Sequence, residues 1–146
     1  MPRTELPRGW RRLAHTSDLK LEFTAPGLVD LFRVAAEGLF ASMLDREAVR
    51  SRERHELALE AEDRDALFLD WLRELLFLFE TRGFALRRVE SITLAPDGTG
   101  LHAEFTGEPF DPARHRPKLE VKSPTYHDYR LERMPEGWRA VVLFDV

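Results

Sequence analysis

The chain has 146 residues, of which 22 are lysine or arginine, 26 are aspartate or glutamate, and none is cysteine. This length fits one ordinary domain, and the lack of cysteine excludes disulfides, thiolate zinc sites, iron–sulfur clusters and a cysteine nucleophile. The formal net charge of −4 at pH 7 argues against a domain that holds phosphate backbones through bulk positive charge. We therefore expect no tight direct binding of nucleic acid.

The first twelve residues contain arginines but no apolar stretch behind them of the length that a signal peptide needs. We expect residues 1–12 to be a loosely ordered segment of a single domain that spans residues 1–146. The longest strongly apolar run, residues 75–79, is far shorter than the roughly 20 residues of a membrane span. A cytoplasmic protein that does not associate with membranes is the expectation.

Apolar and polar residues alternate over residues 19–23, which is the period of a half-buried strand. After Pro26 and Gly27 interrupt this pattern, apolar residues recur at helical spacing over residues 28–44. The sequence therefore opens with a strand followed by an amphipathic helix.

A second alternation, in which Leu57, Leu59 and Ala61 are the apolar members, predicts another strand. Asp63 is placed to cap a helix over residues 64–82, and Gly83 follows in the usual position beyond a helix end. Apolar residues cover more than one face of this helix. We expect it to pack on both a sheet and a neighbouring helix, rather than to present an exposed binding stripe.

The rest of the chain is predicted to form strands. Two of them, residues 86–94 and 101–106, flank a turn at residues 96–100, and three more follow at residues 119–122, 126–132 and 138–145. Residues 107–115 are too rich in proline and glycine for regular structure. The order β-α-β-α followed by a β-meander predicts an α+β fold, a mainly antiparallel sheet with two main helices.

Several familiar catalytic motifs are excluded by spacing. His55 and Glu56 begin a zincin-like motif, but Leu59 stands where the second histidine is needed. No serine lies in a Gly-x-Ser-x-Gly motif, and no Gly-Lys-Ser/Thr phosphate loop is present.

Carboxylates remain at the ends of predicted strands. Asp18 opens the first strand, and Asp145 closes the last one, ahead of Val146 and its α-carboxylate. If the two strand ends are neighbours, they supply hard oxygens that suit Ca²⁺ or Mg²⁺ rather than zinc. Yet an aspartate at a strand start is more often a turn former, a terminal aspartate is more often solvated, and His15 is more often a hydrogen-bonding residue than a ligand.

A second polar cluster contains Lys122, Tyr126 and His127. These side chains could bind phosphate, move protons or orient one another across a pair of strands. Without a paired base and nucleophile, ordinary packing is the simpler interpretation. Residues 107–115 are likewise open to two interpretations, a functional loop or a rigid turn.

Taken together and in this order, these segments resemble the archease family over nearly the whole chain. The resemblance rests on His15-Thr16-Ser17-Asp18, Ala35-Ala36-Glu37-Gly38-Leu39-Phe40, Leu72-Arg73-Glu74-Leu75-Leu76-Phe77-Leu78-Phe79-Glu80-Thr81, Gly107-Glu108-Pro109-Phe110-Asp111-Pro112, Glu120-Val121-Lys122 with Thr125-Tyr126-His127, and Val142-Leu143-Phe144-Asp145-Val146. Two departures are Arg116-Pro117-Lys118-Leu119, where a Gly-Thr pair is expected, and Ser123, where alanine is usual.

The resemblance implies a protein that does not ligate RNA itself but activates an RtcB-type RNA ligase in tRNA splicing or RNA repair, by promoting guanylylation and repeated turnover. It implies a divalent cation, Ca²⁺ with Mg²⁺ or Mn²⁺ as alternatives, on Asp18, Asp145 and Val146. Lys122 matches a lysine of the activating surface, and His15, Tyr126 and His127 lie in the matching motifs as partner-facing residues. The competing interpretations are an autonomous metal-dependent hydrolase or transferase, and a chaperone of a tRNA methyltransferase.

Overall fold

The structure, a computed structural model, describes residues 6–15 and 17–146. Within them the chain forms seven strands, three helices and one short 3-10 turn. In chain order these are β1 (Gly9–Leu13), β2 (Leu19–Ala25), α1 (Leu28–Met43), the 3-10 turn (Arg46–Ala48), β3 (Glu53–Glu60), α2 (Arg64–Arg82), β4 (Phe84–Leu94), β5 (Gly100–Pro109), α3 (Pro112–His115), β6 (Ser123–Met134) and β7 (Gly137–Asp145).

The strands form a four-stranded sheet of order β1-β2-β7-β6 and a three-stranded sheet of order β3-β5-β4. Each neighbouring pair is antiparallel. Helix α1 contacts β2 and β4, and α2 contacts β6 and β3, so each helix touches both sheets and the pair forms a middle layer. The predicted α+β class with two main helices and antiparallel strands is confirmed. The strands divide between two sheets, however, and do not continue as one meander.

Helix α2 has the boundaries that the sequence predicts. The Asp63 side chain accepts a hydrogen bond from the Ala66 amide at 2.8 Å, and Gly83 ends the helix at a left-handed φ of +64°. Trp71 is fully buried, and its indole N–H donates to the Phe32 carbonyl of α1 at 2.9 Å. The expectation of a helix packed on a sheet and on a neighbouring helix is confirmed. Among the described residues, no helix combines the length and the hydropathy that crossing a membrane requires.

The expectation of a loosely ordered segment over residues 1–12 is wrong for residues 9–12, which belong to β1; residues 1–5 lie outside the described residues. This edge strand pairs with β2 from Gly9 opposite Thr24 to Leu13 opposite Lys20. The Trp10 ring lies against Gly38 of α1, where a Cβ atom would approach the ring to 2.7 Å. Three of the five residues of β1 are exposed, so an alternating pattern is not visible in the sequence.

Two other local predictions need correction. Residues 107–115 are largely regular: β5 continues to Pro109, and Asp111 caps α3 by accepting from the Ala113 amide at 3.1 Å. Residues 119–122 do not form a strand. Two isolated backbone hydrogen bonds hold this segment instead. The Lys118 amide donates to the Met43 carbonyl and the Lys122 amide donates to the Asp145 carbonyl, each at 2.8 Å.

Candidate functional site

The pairing of β2 with β7 brings the two predicted metal-binding aspartates together. Leu19 lies opposite Phe144 in this antiparallel pair, Asp18 immediately precedes Leu19, and Asp145 immediately follows Phe144. Leu19 and Phe144 are buried toward the helices. Since side chains alternate along a strand and direct cross-strand neighbours share a face, the two aspartates belong to the outer face of the sheet.

The beginning of β6 reaches the same end of the sheet. Ser123 pairs with Asp145, and its hydroxyl donates to Asp145 Oδ2 at 3.4 Å. Lys122, the preceding residue, donates its backbone N–H to the Asp145 carbonyl, while its side chain is exposed. The backbone of Lys122 is thus fixed beside Asp145, and its ammonium group is free to meet a ligand.

The charges of this aspartate pair are not compensated within the part of the chain that the structure describes. Neither Asp18 nor Asp145 pairs there with a lysine, arginine or histidine, although facing carboxylates repel each other. The described residues contain no group of three or more histidine, aspartate or glutamate side chains arranged for a metal. The side chains therefore provide two hard oxygen ligands, a donor set that fits Ca²⁺, Mg²⁺ or Mn²⁺, and the remaining ligands would be the Val146 carboxylate, main-chain carbonyls or water.

The other predicted partner-facing residues lie near this site but not within it. His15 is exposed between β1 and β2, and Thr16 of the same motif lies outside the described residues. Tyr126 and His127 are on a bulge of β6, where residues 126–129 stand opposite Val142 alone. The bulge begins three residues after Ser123, about 10 Å along the strand. Tyr126 is 60% exposed, and His127 Nε2 lies 3.5 Å from Asp128 Oδ2.

A buried network at residues 108–115 was not recognised in the sequence. Glu108 is only 1% exposed and accepts from Arg114 Nη1 at 2.6 Å, from the Arg50 amide at 2.7 Å and from His115 Nε2 at 3.0 Å. His115 Nδ1 accepts from the Asp111 amide at 2.9 Å, so a neutral ring carries its proton on Nε2. The bond from Arg114, joined by those from His115 and Arg50, outweighs burial and holds the pKa of Glu108 well below its ordinary value. Of the two interpretations of residues 107–115, this network supports the rigid turn.

A row of ion pairs crosses all four strands farther along the outer face. Glu22 accepts from Arg11 at 2.6 Å and from Arg139 at 2.7 Å, and Arg139 also bonds Glu132 at 2.9 Å. Burial raises the pKa of Glu22, but the bonds from Arg11 and Arg139 outweigh this effect, and the pKa is lowered overall. Cross-strand register brings these charges together, and no sequence motif signals it.

Known proteins are similar to this chain over almost its full length. The model of the archease protein family matches residues 10–146. Protein archease of Thermococcus gammatolerans is 38% identical over 141 residues, which cover 95% of this chain and 99% of that protein. Protein archease of Methanosarcina acetivorans is 34% identical over 136 residues, or 92% and 93% of the two chains.

Solved structures share the fold. The solution structure of Methanobacterium thermoautotrophicum protein 1598 has a TM-score of 0.78 at 26% identity and covers 94% of this chain and 99% of that one. The crystal structure of a Thermotoga maritima protein, described as an archease and possible chaperone, has a TM-score of 0.61 at 20% identity and covers 93% and 96%. The family match and the close relatives together show that this chain belongs to the archease family.

Proposed function

We propose that this protein activates an RtcB-type RNA ligase, promoting guanylylation and repeated turnover of the ligase in tRNA splicing or RNA repair, without itself joining RNA. The observation that carries the proposal is the meeting of Asp18, Asp145 and the backbone of Lys122 at one end of the four-stranded sheet. These are the residues to which the family resemblance assigns the cation and the activating surface.

In this proposal Asp18, Asp145 and the carboxylate of Val146 hold a divalent cation, Ca²⁺ or alternatively Mg²⁺ or Mn²⁺. The support is the uncompensated charge of the two aspartates and the exposure of Asp145. A bound cation would neutralise charge on a phosphoryl group. The chain's own contribution is to hold two carboxylates at an exposed sheet end that a partner protein can reach.

Lys122 would provide a mobile positive charge on a fixed backbone. Its amide bond to Asp145 fixes the backbone, and its exposed four-carbon stem lets the ammonium group reach a phosphate or an acidic surface of the ligase. Such a group stabilises developing negative charge without being a nucleophile. His15, Tyr126 and His127, exposed around the same surface, would contact the ligase.

The test is multiple-turnover RNA ligation by an RtcB-type ligase, with and without this protein, while Mg²⁺, Mn²⁺ and Ca²⁺ are titrated. Asp18→Asn and Asp145→Asn should reduce stimulation to the level of the ligase alone. Glu104→Gln is the matched control, because Glu104 is a carboxylate on the other sheet, paired with Arg54 at 3.3 Å. Full stimulation by either aspartate variant, or none by the unaltered protein, would overturn the proposal.

The two competing functions give different results in the same series. Turnover of a substrate by the isolated protein at a rate of order 1 s⁻¹ would identify a metal-dependent enzyme. Stimulation of a tRNA methyltransferase without stimulation of the ligase would identify a chaperone; the Thermotoga protein is described as a possible chaperone.

A further inference from the structure

A pocket of about 310 Å³ opens on the outer face of the four-stranded sheet, and one of its lining residues, Lys20, is two residues from Asp18. Leu13 and Val141 provide apolar lining, and Lys20, Arg130, Arg139 and Asp128 provide charged lining. None of these residues belongs to a motif that carries the family resemblance.

Strand register explains why two cations from distant parts of the chain meet here. Lys20 of β2 lies opposite Leu143 of β7, and Arg130 of β6 lies opposite Val141 of β7. The two cations therefore flank the same strand from its two sides. Lys20 is two residues from Asp18, which places both on one face, about 7 Å apart along the strand.

Buried Val141 lines the pocket, and Leu143 lies two residues farther along the same face of β7. Val141 and Leu143 are each 3% exposed, although their positions in β7 face away from the helices and outside the main core cluster. An apolar base lowers the local dielectric response, so a cation above it attracts an anion more strongly than a cation surrounded by water does.

The cationic groups are not all neutralised by the protein. Arg139 is occupied by Glu22 and Glu132. Lys20 and Arg130 form no ion pair within the described part of the chain. Asp128 is the acidic residue among those lining the pocket. Two free cations thus face one carboxylate.

We propose that this pocket binds a phosphate group through Lys20 and Arg130 and presents it to the cation held by Asp18 and Asp145. The planar guanidinium of Arg130 can donate two parallel hydrogen bonds to phosphate oxygens, and Lys20 supplies a point charge. The inference rests on the proposed function for the presence of the cation. It deepens that function by assigning a phosphate subsite to this chain, for a nucleotide polyphosphate or the phosphorylated end of an RNA.

The test is an NMR titration of the isolated protein with sodium pyrophosphate, in EDTA and at constant ionic strength. Amide shifts should cluster at Lys20, at residues 128–130 and at residues 139–141. Lys20→Ala and Arg130→Ala should each weaken binding about tenfold, the usual loss for one charge-assisted hydrogen bond. Asp128→Asn should tighten it, because asparagine keeps the shape and tolerates the φ of +55° while it removes the opposing charge.

Arg133→Ala is the matched control, since Arg133 is on the same strand but lies opposite Trp138 and so shares the helix-facing side. Equal weakening by Arg133→Ala and Arg130→Ala, or the absence of pyrophosphate-dependent amide shifts at the pocket residues, would overturn the phosphate subsite. Parallel titrations with GTP and with oligoribonucleotides ending in 3′-phosphate or 3′-hydroxyl identify which carrier the pocket prefers.

The ligase is absent from these titrations, so each proposal can be contradicted independently of the other. Pyrophosphate shifts without ligase stimulation would contradict the proposed function alone. Stimulation that depends on Asp18 but is unchanged in Lys20→Ala and Arg130→Ala, with no pyrophosphate shifts, would contradict the phosphate subsite alone.

Discussion

Glu108 and the Asp18–Asp145 pair are two carboxylate sites that the fold treats in opposite ways. Glu108 is buried, and its charge is met by Arg114, His115 and the Arg50 amide. The aspartate pair lies at an open sheet end, where neither aspartate forms an ion pair with a described cationic side chain.

The difference separates a structural carboxylate from one that is available to a ligand. A buried charge that accepts three hydrogen bonds at one oxygen, Oε2, joins β5, α3 and the segment after the 3-10 turn, and its burial closes it to a ligand. A pair of like charges at an open sheet end contributes little to stability and retains its attraction for a cation. We therefore expect alterations at the two sites to affect different measurements.

The largest expected effect is on folding, in Glu108→Ala. Removing the carboxylate leaves the buried His115 ring N–H, the Arg50 amide and the Arg114 guanidinium without their acceptor, so the free energy of unfolding should fall by about 3 kcal/mol. Chemical denaturation measures it. Glu104→Ala, in a pair with the exposed Arg54, is the control and should change stability by at most about 0.5 kcal/mol. Equal stability of Glu108→Ala and the unaltered protein would show that the network does not hold the fold.

Acid should destabilise the protein by protonating the carboxylates of Glu108 and Glu22, whose charges are paired in the folded state. The pKa values of Glu108 and Glu22 are lowered from 4.5, so the unfolded chain takes up protons at a higher pH than the folded one. Their stabilisation is complete above pH 4.5 and is lost progressively as the pH falls below it, toward the folded-state values. Melting temperatures between pH 7 and pH 3 should fall less steeply in Glu108→Gln. Parallel curves for the two proteins would contradict this assignment.

A C-terminal extension should weaken cation binding. One glycine added after Val146 moves the terminal carboxylate by roughly 3.5 Å, and loss of a charged ligand should reduce affinity by about tenfold. Calorimetric titration with Ca²⁺ measures it, with one added N-terminal glycine as the control. Unchanged affinity would remove Val146 from the ligand set.

The smallest expected effect is on the stability of Asp18→Asn. Without a cation this change relieves carboxylate repulsion, so unfolding in EDTA should differ from that of the unaltered protein by no more than about 0.5 kcal/mol, toward greater stability. A loss above about 1 kcal/mol would mean that Asp18 supports the fold, and the contrast with Glu108 would disappear.

Local signals in the sequence predict the helices and much of the strand pattern. Asp63 and Gly83 mark the two ends of α2 in the sequence, because each end depends on a single residue. The N-terminus needs a capping side chain, and the C-terminus needs a residue that tolerates left-handed backbone. The edge strand β1 has no such signal, since its contact with α1 depends on Trp10 fitting against Gly38. Alternation over residues 119–122 predicts a strand, but the backbone there bonds to α1 and β7 at single points.

The candidate site divides in the same way. Asp18 and Asp145 are visible in the sequence as polar residues at strand ends and Lys122 as part of a second polar cluster, and the resemblance adds a role for Lys122. The register that makes the aspartates neighbours, and that brings Lys20 and Arg130 to one pocket, depends on pairing between residues more than a hundred positions apart. Periodicity does not specify strand partners, so neither arrangement follows from the residues alone.

The metal site at Asp18 and Asp145 is tested most directly by calorimetric titration of the isolated protein with Ca²⁺, Mg²⁺ and Mn²⁺. We expect one site in the unaltered protein, the same site in Glu108→Gln, and loss of that site in Asp18→Asn and in Asp145→Asn. Cation binding of equal affinity in the two aspartate variants and the unaltered protein would contradict the claim that the uncompensated pair is the metal site.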